Sequence, residues 1–382
     1  MKTALRAGIP PFHVMDVWLA AAERQRTHGD LVNLSAGQPS AGAPEPVRAA
    51  AAAAITANEL GYTVALGIPE LRAAIAGSYR RYGLSVDAED VVVTTGSSGG
   101  FLLAFLACFD AGDRVAFASP GYPCYRNILS ALGVEVVELP CGPQTRFQPT
   151  VAMLEAAGRL DGVIVASPAN PTGTVIAPAE LAAIAAWCDA NDVRLISDEV
   201  YHGLVYDGAP ATSCAWETSR SAVVANSFSK YFAMTGWRLG WLLVPEELRR
   251  AVDCLTGNFT ICPPVLSQIA AVAAFTPEAI AEADGHLRHY GANRERLLTG
   301  LREIGIDRIA PPDGAFYVYA DVSAFTDDSM AFGARLLAET GLAVAPGIDF
   351  DTRDGNRFIR LSFAGPAADI DEALRRLGPW LP

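Results

Sequence analysis

SFSKYFAMTGWRLG, residues 227–240, follows the apolar run AVVANS (222–227) and carries Lys230, one of two lysines in the chain. The other is Lys2, although lysine and arginine together number 29. Positive charge is written almost everywhere as arginine, so a lysine kept among Ser, Phe, Tyr and Gly asks for a role that arginine cannot fill. Arginine stays protonated; a desolvated lysine loses its proton and forms an imine with a carbonyl. On this stretch alone, an imine lysine, a point charge on a phosphate and chance survival all stand open.

Around this segment, short β-rich runs alternate with helical stretches. DVVVTT (90–95), RVAFAS (114–119), VEVVEL (134–139), DGVIVAS (161–167), DVRLIS (192–197), AVVANS (222–227) and RLGWLLV (238–244) read as strands. Helices are expected between them, for example over PAELAAIAAWCDAN (178–191), and Ala-rich helices at 45–57 and 69–82 lead into the unit. Near-continuous apolar strands separated by helices predict an α/β fold, a mainly parallel sheet covered on both faces. From about residue 286, HLRHYGANRERLLTGLREIG, AFYVYADV, SMAFGARLLAETG and RFIRLSFA read as a smaller α+β domain. The expected division is a large domain over 41–285 and a small one from 1–40 plus 286–382.

In an open parallel sheet, ligands bind beyond the carboxyl ends of the strands. At those ends stand GSSGG (96–100), SPGYPCY (119–125), SPANPTG (167–173), SDEVYHG (197–203) and NSFSK (226–230). Each alone is an ordinary turn. Five on one side of one sheet outline one pocket.

Composition narrows the classes. The chain is 51% apolar and 19% charged over 382 residues, as a globular protein is. Its net charge of −13 argues against a nucleic-acid partner. Seven dispersed cysteines without a CxxC pair suggest free thiols in a reducing compartment. The N-terminal stretch lacks a signal-peptide core, and the best apolar run, GFLLAFLACF (100–109), is about half a membrane span. A cytoplasmic protein without membrane contact is expected. Five histidines form no metal motif, so no metal is expected.

SPANPTG, SDEVYHG, SFSKYFAMTGWRLG and RFIRLSFAG together resemble the signature segments of fold-type I pyridoxal-phosphate enzymes. The likeness is to class I/II aminotransferases, in the branch holding bacterial aspartate aminotransferases, and runs from IPPFHVMDV (9–17) to the C-terminal Arg360. It implies a seven-stranded-type sheet and a homodimer with shared active sites. It also implies pyridoxal 5'-phosphate as cofactor, an L-α-amino acid as donor and a 2-oxo acid, normally 2-oxoglutarate, as acceptor.

The same resemblance distributes roles. Lys230 is the imine lysine and proton shuttle. Asp198, ending an apolar strand, pairs with the pyridine nitrogen and keeps it protonated. Tyr201 and Asn170 bond the phenolic oxygen. GSSGG opens a helix whose free N–H groups favour a phosphate, with Ser97, Ser98, Ser227 and Arg238 completing the cradle. Tyr62 reaches the phosphate of the neighbouring subunit, and Tyr122 stacks on the ring. Arg360 and Gly37 receive the substrate α-carboxylate, with Asn170 beside them, and IPPFHVMDV covers the pocket.

An internal salt bridge is the alternative for Arg360, and a buried core tyrosine for Tyr62 and Tyr122. Some relatives carry a lysine where this chain has Ser98, which weakens an expectation of aspartate and leaves neutral, branched or aromatic amino acids open. C–S β-elimination or decarboxylation on the same scaffold is the alternative reaction. A cofactor-sensing DNA-binding regulator is the alternative of another class, disfavoured by the charge.

Overall fold

The computed structural model describes residues 2–58 and 60–382. Along the chain the strands are β1 (Val32–Asn33), β2 (Val91–Thr94), β3 (Arg114–Ser119), β4 (Glu135–Pro140), β5 (Gly162–Ala166), β6 (Arg194–Asp198), β7 (Val223–Ser227), β8 (Gly240–Leu243), β9 (Tyr317–Asp321), β10 (Leu342–Ala343), β11 (Ala345–Pro346) and β12 (Phe358–Ser362). β2 to β8 form one seven-stranded sheet in the order β2-β8-β7-β6-β5-β3-β4. The pairs β4/β3, β3/β5, β5/β6 and β6/β7 are parallel, while β8 runs antiparallel to both its neighbours.

The apolar runs of the central strands are explained by burial on both faces. Val223 to Ser227 and Gly240 to Leu243 are buried at every position. Helices cover the sheet, each started by local chemistry. Pro sits in the first turn of Pro123–Leu132 and Pro178–Ala190, where its missing N–H costs nothing. Gly133 closes the first of these in the left-handed conformation.

A second sheet, β11-β12-β9, is antiparallel. β1 pairs with β10, so residues from the two ends of the chain share backbone hydrogen bonds. The N-terminal helix His13–His28 is anchored to the same part of the chain. The Asp349 carboxylate accepts from the free first-turn N–H groups of His13 (3.2 Å) and Val14 (2.9 Å).

The expected boundary at residues 285/286 falls inside a single helix, Pro277–Glu303. Its start is set by Thr276, whose hydroxyl accepts from Ala279 N–H, and by Pro277 at the first helical position. The helix expected over 69–82 ends as an α-helix at Ser78 and continues as a 3-10 turn to Tyr82.

Candidate active site

Because β2, β3, β5, β6 and β7 point the same way, the loops after them meet at one edge of the sheet. There they form a cavity of about 200 Å³, open to solvent and lined by residues from all five loops, from both ends of the chain and from β9 and β12. Lys230, Asp198, Tyr201, Asn170, Ser97, Ser98, Tyr122, Arg238, Arg360 and Gly37 all line it. Ten of the twelve residues singled out in the sequence are thus gathered from positions 37 to 360.

Two are not. Tyr62 is 84% exposed and stands outside the cavity lining. Ser227 is buried with its hydroxyl engaged, donating to Leu239 O (3.2 Å) and accepting from Ser229 N–H (2.9 Å). Ser229, two residues on, lines the cavity.

Lys230 is wrapped by the site. Its amine donates to Gly37 O (2.5 Å) and lies 5.6 Å and 5.9 Å from the ring centres of Tyr201 and Phe316. Burial pulls its pKa down to about 8, helped by the charges of Arg360 and Arg238 and opposed by Asp198. A desolvated amine near neutrality is the nucleophile that the lone lysine suggested.

Asp198 ends β6. One of its carboxylate oxygens accepts from Val200 N–H (3.1 Å), and the other accepts from the Tyr125 hydroxyl. Burial pushes its pKa up to about 6, against the pull of these two bonds and of Lys230. The Tyr201 hydroxyl meets that of Tyr317 at 2.7 Å. Burial holds the Tyr201 phenol well above its usual range.

Arg360 is 2% exposed, and the salt bridge weighed for it is replaced by other partners. Its guanidinium is held between the rings of Tyr317 (4.4 Å) and Phe350 (4.7 Å). It donates to two neutral oxygens, Asn170 Oδ1 and Ser35 O, both at 2.8 Å. Its Nε has no partner among the described residues. A buried cation with a free N–H at a cavity wall has the chemistry to receive a carboxylate. Gly37 is required beside it, since a Cβ there would stand 2.8 Å from the Tyr317 hydroxyl.

The helix Gly96–Cys108 begins without a side-chain cap, so its first N–H groups are free to meet an anion. Arg238 sits over it in the left-handed region at φ 52°. A Cβ at Gly96, itself at φ +75°, would come within 2.5 Å of Arg238 Nη2. An uncapped N-terminus, two serines and an arginine held at some conformational cost have the chemistry to hold an anion such as a phosphate.

An uncapped helix start beside an arginine, a buried amine, a buried carboxylate and a tyrosine in one cavity are a set that fits pyridoxal phosphate. Residues 29–377 match the family described as aminotransferase class I and II. The chain belongs to the class I and II aminotransferases. It is 80% identical over 383 residues to a valine–pyruvate aminotransferase of Mycobacterium tuberculosis, covering 100% of this chain and 99% of that one. It is 36% identical to an aspartate/prephenate aminotransferase of Thermus thermophilus, covering 93% and 92%. A crystal structure of an aminotransferase from Mycobacterium tuberculosis superposes with a TM-score of 0.99 at 79% identity, covering 100% and 99%. This aminotransferase therefore uses pyridoxal phosphate, as its family does.

Sequence reasoning missed Tyr125, Tyr317 and Ser229. Tyr125 lies in the quoted SPGYPCY and Tyr317 in AFYVYADV, but a tyrosine in an apolar run carries no sign of its partner. Trp18, the residue directly after IPPFHVMDV, joins Phe12, Val14 and Met15 in the lining.

Proposed function

We propose that this aminotransferase takes a branched aliphatic amino acid, valine first, as donor and pyruvate as acceptor. The observation that carries the proposal is the number of cations in the site. Among the described residues lining the cavity there are three: Lys230, Arg238 and Arg360. Lys230 is the reacting amine, Arg238 faces the uncapped helix and Arg360 faces the α-carboxylate. None is left for a second carboxylate on the substrate. The side-chain end is walled instead by Phe12, Val14, Met15 and Trp18. Such a site favours a monocarboxylate with an apolar side chain in both half-reactions. The valine–pyruvate name of the 80% identical relative supports the same pair, with pyruvate in place of the expected 2-oxoglutarate.

Pyridoxal phosphate, when bound, supplies the aldehyde that takes up the amino group and the ring that draws electrons from the substrate Cα. The chain's residues do the rest. The N-terminus of Gly96–Cys108 with Ser97, Ser98 and Arg238 would hold the phosphate, while Ser227 braces the turn beneath. Asp198 would pair with the ring nitrogen, Tyr122 would cover the ring face, and Tyr201 with Asn170 would bond the phenolic oxygen. Arg360, with Gly37 backing it, fixes the α-carboxylate and so orients the Cα–H bond. The amine of Lys230 would take up that proton and give it back to the carbon on the far side of the amino nitrogen.

The dimer and the compartment belong to this proposal. Tyr62, Val64 and Leu60 are exposed, as are Phe259 and Ile261. Gln268 ties the two groups together, donating to Thr63 Oγ1 (3.2 Å) and Pro263 O (2.9 Å). A second copy covering this apolar face would bring Tyr62 to the other copy's phosphate site. Light scattering should give twice the chain mass; a monomer that is fully active would refute it. β1–β10 pairing supports a small domain built from both chain ends, with the large one between. Seven free cysteines suit a cytoplasmic site, and among the described residues no helix is long and apolar enough to cross a membrane.

The test is the absorbance of the holoenzyme with single amino acids and no acceptor. Valine should convert the cofactor band fully and aspartate poorly, and pyruvate should restore it faster than 2-oxoglutarate. Preference for aspartate and 2-oxoglutarate would sink the proposed substrates. Steady release of ammonia or CO₂ without acceptor would favour the lyase or decarboxylase chemistry.

A further inference from the structure

One carboxylate oxygen of Asp198 is met by a residue outside the cavity lining. Tyr125, one turn into the helix Pro123–Leu132, is 2% exposed, and its hydroxyl donates to Asp198 Oδ2 across 73 positions of sequence. Its ring is fixed by three edge contacts, with Phe101 (5.2 Å), Tyr122 (5.4 Å) and Phe117 (6.0 Å). The hydroxyl therefore has one place to be, and Asp198 is its hydrogen-bond partner there. An ionised carboxylate is acceptor-only, so the phenol donates in that pair.

We propose that Tyr125 is a positioning residue, whose hydroxyl holds the Asp198 carboxylate in the orientation and charge with which it meets the cofactor's ring nitrogen. The inference rests on the role proposed above for Asp198. The groups facing that carboxylate are Tyr122 and Tyr125 from one helix, Tyr201 from the loop after β6 and Lys230 from the turn after β7. Of these, Tyr125 and Lys230 favour the anion, together with Val200 N–H. Lys230 is committed to the reaction, which leaves the Tyr125 bond as the constant side-chain support. Burial keeps the Tyr125 phenol protonated far above neutrality, so the donor is always present. A hydrogen bond to a charged group is the stronger kind, and its loss leaves a buried anion with one partner fewer.

The experiment measures dissociation constants for pyridoxal phosphate and for its 1-deaza analogue, in which the ring nitrogen is replaced by CH. Wild type, Tyr125→Phe, Asp198→Asn and the double variant are compared, with the ¹⁵N shift of the ring nitrogen as second readout. Phenylalanine keeps all three ring contacts, so Tyr125→Phe retains the fold. Tyr125→Phe should weaken native cofactor about tenfold, leave the analogue within twofold, and move the ¹⁵N shift toward unprotonated pyridine. In the Asp198→Asn background it should do nothing further. Equal weakening of both compounds would make Tyr125 a packing residue and overturn the proposal. So would an unchanged Tyr125→Phe beside a weakened Asp198→Asn. If neither variant discriminates nitrogen from CH, the role of Asp198 itself fails, and this inference with it.

Discussion

Arg360 Nη1 donates to Asn170 Oδ1 at 2.8 Å although 190 residues separate them. The bond joins β12 to the loop after β5, and so fixes the substrate end of the cavity against the cofactor end. Arg360→Lys keeps the charge but loses the planar fork and the aromatic sandwich. It should lower kcat/KM for valine about 100-fold, mostly through KM, with the cofactor spectrum unchanged. Steady-state kinetics check this, and a loss under threefold would place the carboxylate elsewhere.

Much of this site could be read from the sequence because a parallel sheet makes it so. Strands buried on both faces appear as apolar runs, and the loop after each run lies, by topology, at the ligand edge. Lys230, Asp198, Asn170 and Ser97 were legible for that reason. Tyr125 and Tyr317 were not, since a tyrosine donating to a carboxylate 73 positions away looks the same in sequence as one filling a core. Ser227 and Ser229 flank one turn, and which of them faces the cavity depends on the β7–β8 pairing that brings Leu239 O to Ser227. The start of the long helix was written in TPEA (276–279), a cap followed by Pro, and needed only local chemistry.

Having two lysines makes the amine of Lys230 measurable directly. The cofactor-free protein, treated briefly with formaldehyde and cyanoborohydride at a series of pH values, can be digested and weighed. Only the unprotonated amine reacts, and burial with two nearby guanidinium groups lowers the Lys230 pKa to about 8. Its labelling should therefore rise with pH and level off above about 8. In Asp198→Asn, which removes the charge opposing that shift, the midpoint should move lower. A midpoint above about 10, the ordinary lysine range, would mean that the amine is solvated.

Gly96 tests the phosphate cradle without removing any charged group. Its φ of +75° is left-handed, and a Cβ would stand 2.5 Å from Arg238 Nη2. Gly96→Ala thus costs about 1 kcal/mol in backbone strain and also drives the guanidinium out of line with the helix N-terminus. Arg238 is itself held at φ 52° and has little freedom to follow. Pyridoxal phosphate should bind at least about tenfold more weakly, and added inorganic phosphate should compete less well for the cofactor-free site. Gly42→Ala is the control, since nothing lies within 4 Å of a Cβ there. Pyridoxal, which lacks the phosphate, should bind wild type and Gly96→Ala alike. If instead pyridoxal is weakened as much as pyridoxal phosphate, the substitution has disturbed the pocket at large, and the anion does not sit where Gly96, Ser97, Ser98 and Arg238 converge.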